Sequence, residues 1–139
     1  MTPTQSGPVL RPIGVVESEL TDLDDAPKQG DEGAPAAWLV FDPEVAEGLR
    51  DLAVGDDVIV LTWLDRARRD VLTTHPRGDP TVAEVGVFST RSPNRPNPIG
   101  LHRVEIIEVA GHRVRVSPLE AIDGTPVLDL KPVIGAGPR

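Results

Sequence analysis

Three prolines fall within six residues, at Pro93, Pro96 and Pro98, inside the stretch GVFSTRSPNRPNPIG that runs from Gly86 to Gly100. Each proline fixes its own φ and lacks an N–H, and each drives the residue before it (Ser92, Arg95, Asn97) toward extended geometry. Such a segment is neither helix nor central strand, yet it is too constrained to wander. It holds Arg91, Asn94, Arg95 and Asn97 in nearly fixed directions, and preorganisation of that kind lowers the entropic cost of binding. A plain Pro-rich turn between strands is the alternative. Pro93 and Pro96 also match PxxP, but such ligands sit in disordered tails rather than beside apolar strands. Two arginines and two asparagines packed among the prolines favour a binding loop. The residues just before it, Val85 to Ser89, are β-branched, aromatic and small, and predict a buried strand.

At 139 residues the chain reads as one domain with a core of its own. Fifteen prolines and thirteen glycines are spread along it, which points to many turns rather than to a helical bundle. The absence of cysteine excludes disulfides, thiolate metal sites and a thiol nucleophile, and fits a protein that is not secreted. The start, MTPTQSGPVLRP, has no basic region or apolar core of a signal peptide, and no apolar run approaches membrane-spanning length. The expectation is a soluble cytoplasmic domain. Net charge is −8 but unevenly placed: residues 1–57 carry 3 basic and 13 acidic side chains, whereas 58–116 carry 9 and 6, all nine basic ones being arginine. A chain this acidic does not attract phosphate backbones globally, so any nucleic-acid contact is local to the arginine-bearing half.

Val9 to Val16 predicts a first strand, with Pro12 favouring an edge or a bulge. The acidic, Pro- and Gly-punctuated stretch from Glu17 to Gly33 predicts a loop, in which Lys28 is the one basic residue. Trp38 to Phe41 predicts a short strand, and Asp42-Pro43-Glu44 a helix start, with Val45, Leu49 and Leu52 at helical spacing and a stop at Gly55. Val58 to Leu64 is the most apolar run and predicts a central strand. Asp65 to Asp70 (DRARRD) is then either a solvated turn or the rim of a pocket at that strand's end, and Thr73 to Pro80 is turn chemistry. Leu101–Val109 and His112–Ser117 predict a hairpin about Ala110-Gly111, with Val114 and Val116 on the face opposite Arg113 and Arg115. A turn at Asp123-Gly124 leads into a last strand, Pro126 to Val133, in which Leu128 and Leu130 alternate with Asp129 and Lys131. Six or seven short strands with one short helix and long loops predict a mainly β fold, a small, mostly antiparallel barrel or sandwich.

Few classical chemistries fit. His75, His102 and His112 have no metal-ligand spacing, no serine lies in a GxSxG elbow, and there is no P-loop. Gly135-Ala136-Gly137 has no following helix and is no dinucleotide fingerprint. What remains is arginines, asparagines and turn carboxylates at strand ends. Guanidinium forks suit carboxylate or phosphate, and Asp123 can accept from ribose hydroxyls, accept a proton, or simply close a hairpin turn. The residues by themselves yield a site for a polar, partly anionic small molecule and no particular reaction.

The segments RPIGVVES, APKQG, FDPEVAEGL, GVFSTRSPNRPNPIGLHRVEI, LEAIDGTP and VLDLKP, in this order, resemble the TrmO family, also called TsaA-like or VirR-like. The similarity spans about residues 9–134. The resemblance implies a mostly antiparallel β-barrel, dependence on S-adenosylmethionine, a homodimer with the cofactor near the subunit interface, and methylation of N6 of threonylcarbamoyladenosine at tRNA position 37. It implies no metal and no membrane. Lys28, Gln29 and Gly30 match the family's proline–basic–glutamine segment beside the cofactor, and Arg91, Arg95 and Asn97 its central motif. Leu119, Glu120, Ala121, Ile122 and Asp123 precede the DGTP turn expected to hold the adenosyl part. Asp65 and Arg66 align with a cofactor-side pair that more often begins with histidine, so Asp65 is a departure. Thr125, Asp129 and Lys131, with Arg95 and Asn97, are the implied acceptor-side residues.

The implied reaction is in-line displacement at a methyl carbon on sulfonium, in which the protein aligns the groups and excludes water. A carbamoylated N6–H needs a base; Asp123 is the candidate and Arg91 the candidate catalytic arginine, with the substrate's own carboxylate as the alternative base. Two further readings stay open: a same-fold methyltransferase acting on a small metabolite, and a module that binds the cofactor without turnover.

Overall fold

The computed structural model describes residues 7–21 and 33–135. Its strands are β1 (Gly14–Glu17), β2 (Ala37–Phe41), β3 (Asp57–Trp63), β4 (Thr73–Thr74), β5 (Val85–Gly86), β6 (Ile99–Ala110), β7 (Arg113–Ser117) and β8 (Pro126–Pro132). Six of them close into a barrel in the order β1-β2-β7-β6-β3-β8, and β4 pairs with β5 in a separate two-stranded ribbon. Every pairing is antiparallel. The expected mainly β, antiparallel barrel is the fold observed.

The barrel follows from alternation. On β6, Gly100, His102, Val104 and Ile106 are buried while Ile99, Leu101, Arg103 and Glu105 face out. Leu39, Val58, Val60, Val114, Val116 and Val127 fill the lumen from the other strands. Closure leaves no open sheet edge. The β6–β7 hairpin turns at Gly111, whose φ of 64° is one that glycine adopts without steric cost.

Several elements differ from expectation, each for a local reason. The first strand begins at Gly14 rather than Val9, and Val9 and Leu10 are exposed. Pro12 has no N–H to give a neighbour, and the ladder starts only after it. The segment after Pro43 is a 3-10 helix, Pro43–Leu49, whose N-cap Asp42 makes no side-chain cap. Seven residues including Gly48 are too few to stabilise an α-helix by themselves, and the tighter coil still lets Val45 and Leu49 pack on the core. In β8 the register with β3 slips between Leu61 and Thr62, so Leu61 faces Asp129 while Thr62 faces Val127. Leu128 is the extra residue of this bulge, and Val127 rather than Leu128 is fully buried.

The expected strand Val85–Ser89 is corrected in the same way. It is two residues of strand followed by a 3-10 turn, Val87–Ser89, in which Val87 is buried and Phe88 is 76% exposed. Thr90 N–H and Oγ1 both bond to Val87 O, and this turn swings the aromatic ring outward.

Candidate functional site

The proline-rich loop lies against the 65–70 turn at one end of the barrel, where β3 ends and β6 begins. Leu64 N–H donates to Pro98 O at 2.8 Å, Arg95 N–H to Arg68 O at 3.0 Å, and Arg68 N–H to Asn94 Oδ1 at 2.9 Å. Arg69 donates to Pro96 O (2.7 Å) and Asn97 Oδ1 (2.9 Å), with its guanidinium 5.1 Å from the Trp63 ring centre. Prolines cannot form a ladder, so side chains and carbonyls of the neighbouring turn supply the restraint. Arg69 is therefore a structural partner of the loop that a motif reading passes over, and Asn94, inside the loop, is a tie to the same turn.

Arg95 is turned inward. Its Nη1 donates to Thr90 O and Ser92 O, both at 2.9 Å, and its guanidinium lies 5.9 Å from the exposed Phe88 ring. Arg68 forms a two-point pair with Asp70, at 3.0 and 3.1 Å; the hydrogen bond from Arg68 is the main reason the Asp70 carboxyl is held below its ordinary range. Arg66 reaches Thr21 O at 3.5 Å. Arg91 is exposed, and among these loop arginines it makes no hydrogen bond or ion pair within the described residues. A charged group held out this way is available to an anion.

The segment from Leu119 to Asp123 forms a second wall. Leu119 N–H donates to Pro35 O and Asp123 N–H to Leu20 O, which pins both ends and leaves the three residues between without a strand partner. Leu119, Ala121 and Ile122 are buried, while Asp123 is exposed and its Oδ1 accepts from Ser18 N–H at 3.0 Å. Thr125 is buried, its hydroxyl donating to Ile122 O at 2.7 Å, so it shapes the turn. The short run Ser18–Thr21 thus joins Asp123 to Arg66. Asp65 lies exposed in the turn beside Arg66.

The structure brings Asp65, Arg66, Arg91, Arg95, Asn97 and the 119–123 segment to the same end of the barrel. Asp129 and Lys131 stand apart. They pair with each other at 3.3 Å and lie opposite Leu61 and Ile59, further down β3, where they border a cavity of about 290 Å³ under the 3-10 helix. Lys28, Gln29 and Gly30 lie outside the described residues. Among those residues no group of three or more His, Cys, Asp or Glu could hold a metal ion, and no helix is long and apolar enough to cross a membrane.

A closed antiparallel barrel carrying an arginine- and proline-rich rim at one end defines the fold class: a small β-barrel, without a doubly wound sheet. The profile of the tRNA-methyltransferase O N-terminal domain matches residues 15–136, and the chain belongs to that family. It is 46% identical over 123 residues to an S-adenosyl-L-methionine-binding protein of Archaeoglobus fulgidus, covering 88% of this chain and 87% of that one. Over 120 residues it is 34% identical to the probable S-adenosyl-L-methionine-binding protein VirR of Rhizobium radiobacter, covering 86% of this chain and 67% of VirR. A crystal structure of TrmO from Pseudomonas aeruginosa superposes with a TM-score of 0.73 at 25% identity, covering 98% of this chain and 62% of that one. The chain therefore spans less than two thirds of the TrmO chain it matches.

Proposed function

We propose that this protein is an S-adenosylmethionine-dependent methyltransferase that methylates N6 of threonylcarbamoyladenosine at position 37 of tRNA, acting as a homodimer. The observation that carries the reading is that one loop, otherwise locked by hydrogen bonds, exposes both Arg91, which has no hydrogen bond or ion pair among the described residues, and Phe88 three residues before it. An arginine for an anionic group and an aromatic face for an unstacked base are the pair that single-stranded RNA recognition uses.

The residues present suit the cofactor. Arg91 offers a fork for its carboxylate, Asp123 an acceptor for ribose hydroxyls, and the 119–123 segment main-chain groups beside buried Leu119, Ala121 and Ile122. Lys28, Gln29 and Gly30, which follow Ser18–Thr21 in sequence, complete the proposed cofactor set with Asp65 and Arg66. When bound, S-adenosylmethionine supplies an electrophilic methyl group on a sulfonium. The chain's own part is alignment, exclusion of water, and removal of the acceptor's N6 proton, for which Asp123, exposed and bonded through Oδ1 to Ser18 N–H, is the candidate. Arg95 and Asn97, tied into the loop, present the acceptor side through its shape.

The dimer reading rests on the outward face of β3 and β6. Ile59, Leu61, Trp63, Ile99 and Leu101 form a contiguous apolar strip there, with Ile99 and Leu101 exposed. A strip of this kind supports an interface between two copies, and Asp129 and Lys131 of β8 border it. The test is transfer of labelled methyl from S-adenosylmethionine to tRNA carrying threonylcarbamoyladenosine, with unmodified tRNA as control. Label in the modified tRNA alone is expected. Turnover only with small-molecule extracts would favour a metabolite methyltransferase, and binding of the cofactor with no transfer would favour a sensor.

A further inference from the structure

The barrel lumen holds a chain of polar side chains that the rim does not use. Thr62 on β3 is fully buried, His102 on β6 is 6% exposed, and Glu120 in the 119–123 segment has a side chain 16% exposed. His102 Nε2 lies 2.7 Å from Thr62 Oγ1, and His102 Nδ1 bonds to Glu120 Oε1. Gly100 makes room for this: a Cβ there would lie 2.6 Å from His102 Nε2 and would also collide with Thr62 Oγ1. The order hydroxyl–imidazole–carboxylate is that of an acyl-transfer triad. A fully buried threonine is out of reach of any substrate, so nucleophilic use is excluded and the chain must act otherwise.

The donors and acceptors say how. A carboxylate only accepts, so Nδ1 carries the proton given to Glu120, and Nε2 pairs with the Thr62 hydroxyl, which can donate to it or accept from it. Both ring nitrogens of His102 thus have partners, one a fully buried hydroxyl and the other a carboxylate whose side chain is largely buried. Without the imidazole, the Glu120 carboxylate would lie largely buried with no donor, a state costly enough to turn it out toward solvent and drag its segment with it. The ring thus ties the 119–123 wall to the end of β3, which leads directly into Asp65 and Arg66.

We propose that His102 is a positioning residue of the cofactor site, acting through Glu120 to hold the 119–123 segment in its binding geometry; this rests on the reading of that segment as the cofactor's wall. The test compares His102→Asn, whose amide can donate from near the Nδ1 position, with His102→Gln, whose amide extends toward Thr62. Calorimetric titration with S-adenosylmethionine is expected to give an affinity for His102→Asn within about threefold of the parent, and at least about a tenfold loss for His102→Gln. Equal affinities of parent and His102→Gln would overturn the proposal and leave the cofactor reading intact. A parent protein that binds no S-adenosylmethionine would instead remove that reading and the proposal with it. A ¹⁵N-imidazole spectrum of the parent needs no variant: the proton on Nδ1 is expected, and a proton on Nε2 alone would overturn the clamp.

Discussion

Arg91 lies two residues before Pro93 in the loop and makes no hydrogen bond or ion pair among the described residues, whereas Arg69, in the turn packed against the loop, is committed to it. Arg91→Ala removes no contact that holds the loop, so its thermal midpoint should stay within about 1–2 °C of the parent, as for an ordinary surface change. Cofactor or acceptor binding should weaken by about tenfold or more, the scale of one lost charge-assisted contact. Unchanged affinity by calorimetry would return Arg91 to the solvated surface. Arg69→Ala breaks two hydrogen bonds and the contact with Trp63, and should lower both binding and loop order. Arg68 and Asp70 give a signature in pH. The Asp70 carboxyl is held low, chiefly by the hydrogen bond from Arg68, so the pair's contribution is present above the ordinary carboxylate range and is lost as pH falls through the lowered value. Both groups are fully exposed, so the effect on stability is small. The carboxyl ¹³C titration of Asp70 should fall below about 3.9 in the parent and move up toward it in Arg68→Ala.

Elements were legible where alternation was long. The first eight residues of β6, 99–106, and the five of β7 alternate with a period of two that a reader of the sequence can follow, and the hairpin at Gly111 comes with them. Alternation also placed a polar residue on the buried face of β6, at His102; attention to that phase would have found the lumen chain. The 85–89 segment departs from the expected strand because composition is silent on a 3-10 turn that buries Val87 and turns Phe88 outward. Two bulges, at Ile107 and Leu128, shift the phase of their strands in the same hidden way. Gly100 offers an element-scale test. Gly100→Ala should cost about 1–3 kcal/mol in urea unfolding, the usual penalty of overpacking, because both groups it strikes are tied down in the lumen. An alanine variant as stable as the parent would show that β6 can move there.

On the scale of the whole molecule, charge separates cleanly from total charge. The chain is acidic overall, yet Arg66, Arg68, Arg69, Arg91 and Arg95 gather at the end of the barrel where β3 and the proline-rich loop meet. Binding of modified tRNA should therefore fall steeply between about 50 and 200 mM salt, with a log–log slope that counts the few phosphates neutralised rather than many. A salt-independent affinity would argue for a small acceptor. The outward strip of β3 and β6 predicts a mass of twice the chain by light scattering. Leu101→Glu should shift it toward monomer, and a parent that is monomeric at all concentrations would remove the dimer reading.

The local grammar of the chain, its prolines, its period-two strands and its turn dipeptides, was enough to narrow the fold to a small antiparallel barrel or sandwich and to mark the 91–97 loop, because those signals act between near neighbours; the family resemblance chose the barrel. Which arginine is a strut of the loop and which stands out from it, that Asp129 and Lys131 stand away from the rim, and that His102 reaches Glu120 across the lumen were decided only by closure of the barrel. Closure sets contacts between residues tens of positions apart, where pairing depends on register, bulges and the space a single glycine leaves.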